Sequence, residues 1–399
     1  MSKVSKRFLN DRASLILWAF FALGLVLRLS YLVSTYPLAL FPDEERFLKT
    51  ANNILKHGEM IWDGRYAWDM PMMPIMTAFG ISVFQENLFL FKIFLVALSS
   101  LTIIVTSRAT YLVSNSECAM MCCAAIMAFY PLFIFFSPLI LTETLFLLFF
   151  SLSLLFVFRP KSTLYFGLVA GLAHLTRPTM LFFLPVVWIW QKLINKDHFF
   201  AVAVGALSFV LVINFWGLRN YGVFGEYFLT TASSGHVLLE GNNPWNTTGG
   251  PSGSFDHLGE YKNSIPEGPD ELAIDKLKKS RAMEYIKDNP WESFIRATKK
   301  LGRLWKPIPN SDDYGRTFIR VVSLLSTVPI FLLAGMSIWL LRPILIRISI
   351  LYVFILYYSA IHMITVGSLR YRLPIDIVLI ILASLSLACI WSKLKSRNS

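Results

Sequence analysis

Three acidic residues of this 399-residue chain stand where an apolar segment ends or begins. Asp43 and Glu44 follow the first apolar segment, in Phe41-Pro42-Asp43-Glu44-Glu45, and Glu143 opens a later one. A carboxylate beside so much apolar sequence is costly without water or a partner, and a carboxylate can take a proton from a hydroxyl group. Asp43, Glu44 and Glu143 are therefore candidate catalytic residues. A structural alternative exists, in which Asp43 is an N-cap and the two glutamates favour the helix dipole.

Arginines occur at the same ends of the apolar segments, and a guanidinium binds phosphate oxygens in pairs. If the segment before the last apolar run is extended, Arg370 and Arg372 point the same way and can share one phosphate. The alternative is that each arginine reaches out to lipid headgroups. Bases beside phosphate-binding arginines suit transfer from a lipid-phosphate donor. The candidate arginines are Arg28, Arg177, Arg219, Arg370 and Arg372.

The composition indicates a membrane protein. The chain is 55% hydrophobic and 16% charged, with a mean hydropathy of +0.56, whereas a soluble domain is about 25% charged. This excludes an ordinary cytosolic enzyme. The net charge of +12 comes from short Lys and Arg clusters between apolar runs, which favours basic cytoplasmic loops over nucleic-acid binding. The four cysteines, all within apolar segments, predict core packing rather than a disulfide framework or a metal site.

The apolar segments predict about ten membrane crossings with both termini inside. The stretch Pro71 to Phe84 is short and contains prolines, and we predict that it is partly embedded without crossing. With that choice every inside turn carries a cation, although Arg46, Lys49, Lys56 and Arg65 remain outside. The ten predicted crossings are 14–33, 88–107, 118–137, 144–158, 163–176, 179–194, 199–217, 318–341, 344–364 and 373–391.

Two large extracytoplasmic parts follow from this topology, 34–87 and 218–317. We predict three regions: a transmembrane catalytic module over 1–217 that includes loop 34–87, a cap over 218–317, and C-terminal transmembrane helices over 318–399. In loop 34–87 a helix runs from Asp43 to Gly58 along the membrane surface. The cap is rich in Gly, Pro and Asn near Gly241 to Gly253 and helical from Pro269 to Trp305.

The order and spacing of short motifs resemble the GT-C glycosyltransferases, nearest to the protein O-mannosyltransferase-like branch with bacterial lipopolysaccharide glycosyltransferases and aminoarabinose transferases. The resemblance covers nearly the whole chain. A departure is Asp69-Met70-Pro71-Met72-Met73-Pro74, where relatives often have a basic or polar residue before Pro-Pro-Leu-Tyr. The motifs are Leu27-Arg28-Leu29, Pro42-Asp43-Glu44, Thr142-Glu143, Leu175-Thr176-Arg177-Pro178, Arg219-Asn220-Tyr221, Glu240-Gly241-Asn242-Asn243-Pro244, Asp288-Asn289-Pro290, Lys300-Leu301 with Trp305, and Arg370-Tyr371-Arg372-Leu373-Pro374.

This resemblance implies an all-α helix bundle that transfers one sugar, with inversion, from a polyprenyl-phosphate carrier to an envelope glycan, lipid or protein. It implies Asp43 as general base with Glu44 and Glu143 beside it. A divalent metal held by Asp43 and Glu143 is possible, and no other cofactor is expected. We also expect Glu240, Asn242 and Asn243, with the cap helix near Lys300, to close over the pocket when donor binds.

The expected partners are the lipid-linked sugar, its acceptor and membrane lipid, without nucleic acid, in a bacterial plasma membrane with an extracytoplasmic site. The alternative from another class is a transporter or flippase of lipid-linked sugar. Against it, the sequence has no internal repeat and no matching pair of Gly- or Pro-broken helices.

Overall fold

The computed structural model describes residues 11–37, 39–195, 197–251, 257–310 and 317–397. Within these ranges the prediction of an all-α protein is confirmed, since the only paired extended residues are Trp62 and Arg65. The α-helices of the described part are α1 Asp11–Thr35, α2 Pro42–His57, α3 Met72–Val83, α4 Leu88–Ser114, α5 Glu117–Phe129, α6 Pro131–Phe136, α7 Thr142–Phe158, α8 Thr163–Thr176, α9 Leu184–Leu193, α10 Phe199–Phe224, α11 Ser234–Gly241, α12 Leu258–Ser264, α13 Glu271–Asp288, α14 Pro290–Trp305, α15 Thr317–Leu340, α16 Leu345–Ile364 and α17 Leu369–Arg397.

Six helical segments of the described chain are long and apolar enough to cross a membrane, and α3, α5, α7 and α8 are shorter apolar helices. The exposed side of α10 carries Leu207, Leu211, Phe215 and Leu218. Such a surface suits contact with lipid. These features confirm a polytopic helix bundle, while the number of ten crossings stays a prediction. The six segments are Asp11–Thr35, Leu88–Ser114, Phe199–Phe224, Thr317–Leu340, Arg342–Ile364 and Leu369–Ser396.

Helix α17 runs through the centre of the bundle. Every residue from Arg372 to Ser386 is buried, and the helix packs against α4, α5, α7, α14, α15 and α16. A helix that is apolar all round lies in a protein core or in a membrane, and α17 is enclosed by other helices. Helix α17 begins at Leu369, so the packing of this helix fixes the position of Arg370, the next residue.

The stretch Pro71 to Phe84 forms the short helix α3. Its 12 residues extend about 18 Å, which is less than the ~30 Å of a bilayer core. The helix packs against α2, α4 and α8. Its length fits the prediction that this stretch does not cross.

The cap region lies between α10 and α15 in the chain, and its bounds at 218–317 stay a prediction. The helix expected over Pro269 to Trp305 is divided at Asn289, because Pro290 lacks an N–H and takes the first position of a new helix, α14. Lys300 of α14 is fully buried, and its Nζ donates to Asn242 Oδ1 at 3.0 Å and to the Ile364 carbonyl oxygen at 3.1 Å. One lysine therefore ties α14 to the end of α16.

Close backbone approach accompanies this lysine. A Cβ on Gly241 would collide with the Thr365 carbonyl oxygen, and a Cβ on Gly367 would collide with the Lys300 carbonyl oxygen. Burial, reinforced by the charge of Arg296, lowers the pKa of Lys300 to about 7. The attachment of the cap thus includes an amine whose protonation is penalised.

We expect the wild type to gain stability relative to Lys300→Met as the pH rises from about 7 toward the ordinary lysine pKa of 10.5. Over this range Lys300 is protonated in the unfolded chain and neutral in the folded chain. Folding therefore releases a proton, and this release becomes more favourable as the pH rises. The difference in unfolding free energy should grow by at most about 1.4 kcal/mol per pH unit.

Thermal unfolding of detergent-solubilised protein at several pH values measures this difference. Lys299→Met is the matched control, because Lys299 is exposed on the same helix. Equal pH dependence of the two variants would contradict the assignment.

Candidate active site

Three side chains from distant parts of the chain meet at one end of the bundle. Arg370 donates from Nη1 to Asp43 Oδ2 at 2.5 Å and from Nη2 to Glu143 Oε2 at 3.1 Å, and its Nε also contacts Glu143. A planar guanidinium thus joins two carboxylates at once. The contact brings together the start of α2, the start of α7 and the start of α17.

Asp43 is the more accessible carboxylate of the pair. Its side chain is 30% exposed, against 1% for Glu143. The N-cap of α2 is Phe41 and Pro42 is the first helical residue, so the interpretation of Asp43 as the N-cap is wrong. Burial raises the pKa of Asp43, but the charges of Arg370 and Arg46 outweigh burial and lower it to about 2. Asp43 is therefore an ionised carboxylate that solvent or a ligand can reach.

Glu143 is held between two arginines. Arg177, at the end of α8, contacts the Glu143 carboxylate through Nη2 and donates from Nε to Thr142 Oγ1 at 2.9 Å. The Arg177 guanidinium also lies over the Phe146 and Tyr371 rings, at 5.6 and 5.7 Å. The Thr-Arg-Pro turn sets this position, because Pro178 prevents α8 from continuing. Arg177 thus orients Glu143 from the side opposite the solvent.

Two residues that sequence reasoning did not select complete the charged cluster. Arg46 donates to Asp43 Oδ1 at 2.6 Å and to Asp69 Oδ2 at 2.8 Å. Burial raises the pKa of Asp69, and the charge of Arg46 only partly offsets it. The sequence signal was the i, i+3 spacing of Asp43 and Arg46 on one helix. Asp43, Arg46, Asp69, Glu143, Arg177 and Arg370 form one network, called here the carboxylate–arginine cluster.

Glu44 lies outside the carboxylate–arginine cluster. Its Oε1 accepts from Lys92 Nζ at 2.8 Å and from the Ile140 N–H at 2.9 Å, while Oε2 accepts from the Phe41 N–H at 3.1 Å. The side chain is buried, and these three hydrogen bonds give each of its carboxylate oxygens a protein partner. We therefore replace the catalytic prediction for Glu44 with a structural one: it starts α2 and pairs with α4.

An apolar cavity lies beside this ion pair. It encloses about 170 Å³ and is lined by Glu44 and Lys92 together with mostly apolar and aromatic residues. Its walls come from α1, α2, α4 and the segment before α7. One of its walls, Glu44, is the direct chain neighbour of Asp43. The other lining residues are Tyr31, Leu32, Thr35, Tyr36, Ala39, Phe41, Phe135, Pro138 and Leu139.

Two of the expected phosphate ligands, Arg372 and Arg28, lie outside the carboxylate–arginine cluster. The expectation of an extended segment is wrong because residues 369–397 are helical, and positions two apart point in nearly opposite directions. Arg372 is fully buried, with Nε bonded to Asp376 at 2.9 Å and Nη1 to the Lys306 carbonyl at 2.6 Å. Arg28 is also buried, bonded to the carbonyls of Gly24, Met127 and Ala128. We therefore leave both out of the proposed site.

The expected mobile loop is anchored instead. Asn242 Nδ2 donates to the carbonyls of Leu238 and Ile364, and Asn243 Oδ1 accepts from the N–H groups of Trp245 and Asn246. Both asparagines are buried, whereas Glu240 is half-buried. The Gly- and Asn-rich composition thus forms a hydrogen-bonded turn, so we do not retain the proposed closure of residues 240–243.

Arg370 occupies the space between the two carboxylates expected to share a metal. No group of three or more His, Cys, Asp or Glu side chains with metal-binding geometry is present in the described ranges. With Arg370 between them, Asp43 and Glu143 do not form a cation site in this arrangement.

The sequence matches no protein-family model and no curated protein. Among solved structures, the chain is similar to an archaeal oligosaccharyltransferase from Archaeoglobus fulgidus in complex with an inhibitory peptide and a dolichol-phosphate. The TM-score is 0.57 with 11% identity over 97% of this chain and 51% of that chain. The chain is also similar to ArnT from Cupriavidus metallidurans in the apo state, with a TM-score of 0.43 and 14% identity over 94% of this chain and 78% of that chain.

The chain has the GT-C fold. It spans about half the length of the oligosaccharyltransferase. The fold that the sequence resemblance implied is confirmed.

We expect Arg372→Lys to lower thermal stability without weakening the binding of a polyprenyl phosphate. A lysine cannot reproduce the bonds to both Asp376 and Lys306, and losing charged hydrogen bonds in a buried site costs about 1–3 kcal/mol. Thermal unfolding and lipid binding of purified protein measure the two effects. Weakened lipid binding at unchanged stability would return Arg372 to the phosphate site.

Proposed function

We propose that this chain is a membrane glycosyltransferase that moves one sugar from a polyprenyl-phosphate donor to an acceptor hydroxyl. The observation that carries the proposal is Arg370, which lies between the reachable carboxylate of Asp43 and the buried carboxylate of Glu143. A base and an anion-binding guanidinium are thereby placed side by side at one end of a membrane bundle. The GT-C fold and the dolichol-phosphate in the oligosaccharyltransferase complex support this proposal.

In this mechanism Asp43 takes the proton of the acceptor hydroxyl. The hydroxyl oxygen attacks the anomeric carbon of the donor sugar at the same time. The bond from that carbon to the phosphate oxygen breaks, and the electron pair leaves with the polyprenyl phosphate. Attack on the face opposite the leaving group inverts the anomeric configuration. General-base assistance of this kind contributes about 10² to 10⁴ in rate.

Arg370 serves the leaving group. The phosphate departs as an anion and needs charge stabilisation rather than a proton, which a preorganised guanidinium supplies. When Arg370 binds the donor phosphate, the phosphate neutralises the positive charge that lowers the pKa of Asp43. Burial then raises the pKa of Asp43, opposed only by Arg46, and a higher pKa makes the carboxylate a stronger base. Donor binding would thus activate the base.

The remaining cluster residues are positioning residues. Arg177 holds Glu143, Glu143 holds Arg370, and Arg46 holds Asp43. The apolar cavity walled by Glu44 and Lys92 is a suitable place for the first isoprene units of the donor. We place the site on the extracytoplasmic side of a bacterial plasma membrane, because the predicted inside turns are the basic ones. The acceptor is an envelope glycan, lipid or protein.

We expect Asp43→Asn to reduce transfer by about 10² to 10⁴ while the protein stays folded and inserted. The amide keeps the size of the side chain but cannot take the proton. Purified variants assayed with a set of polyprenyl-phosphate-linked hexoses and pentoses provide the measurement. Glu45→Gln is the matched control, since Glu45 is exposed in the same helical turn. Turnover of Asp43→Asn equal to that of this control would remove the proposed base.

We expect Arg370→Gln to move the acidic limb of the kcat/KM profile upward by about one to three pH units. In the wild type the pKa of Asp43 is about 2, so the base is ionised throughout the neutral range. Without the Arg370 charge, burial raises this pKa, and the ionised base is lost at a higher pH. Arg320→Gln, an exposed arginine on α15, should leave the profile unchanged. An identical profile for Arg370→Gln and wild type would contradict the coupling.

A further inference from the structure

A second, larger cleft lies between the cap and the loop that carries Asp69. It encloses about 580 Å³, within the range of ligand-binding clefts. Its floor is formed by Trp68 and Lys278, and further walls come from α11, α13 and the 265–269 turn. The lining residues are Asp63, Gly64, Arg65, Trp68, Ala232, His236, Ile265, Pro266, Glu267, Gly268, Pro269, Glu271, Ile274, Asp275 and Lys278.

Lys278 is the unusual residue of this cleft. Its side chain is buried, with the residue 5% exposed, and its Nζ lies 5.9 Å from the centroid of the Trp68 ring. Within the described ranges no protein group accepts a hydrogen bond from it. Burial and the nearby Arg65 charge lower the pKa of Lys278. Its ammonium opens on the cleft, so it can donate to an oxygen of a ligand bound there.

The acids on the walls next to Lys278 are already engaged. Asp275 accepts from Ser234 Oγ at 3.1 Å and from the N–H groups of Gly235 and His236 at 2.7 and 3.1 Å. Glu271 accepts from the Tyr66 N–H at 2.6 Å. These bonds fix α13 against α11 and against the loop before Trp68. Lys278, on the same helix, faces the cleft.

The mixed charge of the walls defines the ligand. Glu267 and Asp63 are exposed at the rim and need donors, whereas Lys278 and Arg65 need acceptors. An anion would meet the rim acids, a cation would meet the lysine and arginine, and an apolar chain would leave Lys278 unsatisfied. A hydroxyl group both donates and accepts. The Arg65 guanidinium lies over the Trp68 ring, 4.3 Å from its centroid, which holds Arg65 at the wall of the cleft.

We propose that this cleft binds a neutral, hydroxyl-rich saccharide, held by Lys278 and Arg65, as the acceptor of the reaction. The inference rests on the proposed function, because it names the acceptor of that same site. Position supports the role. Trp68 is followed directly by Asp69, which Arg46 joins to Asp43. The wall of the cleft is thus connected to the proposed base through Asp69 and Arg46.

The test uses the purified full-length protein on an array of neutral and acidic glycans. We expect wild type to bind at least one neutral glycan and Lys278→Met to lose at least ten-fold in affinity for it. Lys279→Met should bind like wild type, because Lys279 is the exposed neighbour on α13. Arg65→Gln provides a second cleft variant should Lys278→Met unfold. Binding of acidic glycans alone, or neutral-glycan binding equal in wild type and both cleft variants, would overturn the proposal.

Two readouts separate this inference from the proposed function. Asp43→Asn should keep glycan binding while it loses transfer. Lys278→Met should raise the acceptor KM at an unchanged donor KM, which a general structural defect would not do. Normal transfer by Asp43→Asn together with glycan binding lost in Lys278→Met would refute the mechanism and keep the cleft. The reverse pattern would refute the cleft and keep the mechanism.

Discussion

The structure depends most on the guanidinium of Arg370 between the carboxylates of Asp43 and Glu143. Glu143 is almost entirely inaccessible to solvent, and removing one partner of a buried charge pair costs several kcal/mol because the other charge is left uncompensated. The first turns of α2, α7 and α17 must therefore meet at one point. Since α17 is buried from Arg372 to Ser386, this meeting point stands on the central axis of the bundle.

Accessibility separates the charges that support the fold from those that can do chemistry. Glu44 with Lys92, and Arg372 with Asp376, are buried pairs whose partners are other protein groups. Lys300 likewise joins the cap to α16. Asp43 alone among the carboxylates bonded to Arg370 remains open to a ligand. The protein thus uses the same types of residue for structure and for the proposed reaction.

The sequence predicted the helix bundle, the polar end and the residues Asp43, Glu143, Arg177 and Arg370 that the structure brings together. It did so because charged residues inside apolar runs must be clustered or placed at helix ends. Spacing could not separate Glu44 from Asp43, since adjacent positions on a helix face different neighbours. The exclusion of Arg372 depended on whether residues 369–374 are helical, and Pro374 suggested otherwise. Asp69 was missed because its partner Arg46 is 23 residues away.

The cap shows the opposite limit of sequence reasoning. A segment rich in Gly and Asn predicts mobility, but Asn242 and Asn243 bond to backbone groups that only the folded chain supplies. Gly241 and Gly367 lie where two backbone segments approach closely, and a Cβ would collide there. Close approach, and not loop motion, is the reason for glycine at these positions. The larger cleft and its buried lysine likewise arise from residues about 200 positions apart, so no local pattern predicts them.

A cryo-EM structure of the full chain with a non-transferable polyprenyl-phosphate sugar tests the central claim most directly. The account predicts that the donor phosphate lies within hydrogen-bonding distance of Arg370, with Asp43 turned toward the anomeric carbon. A phosphate bound elsewhere, with Arg370 still between Asp43 and Glu143, would contradict it.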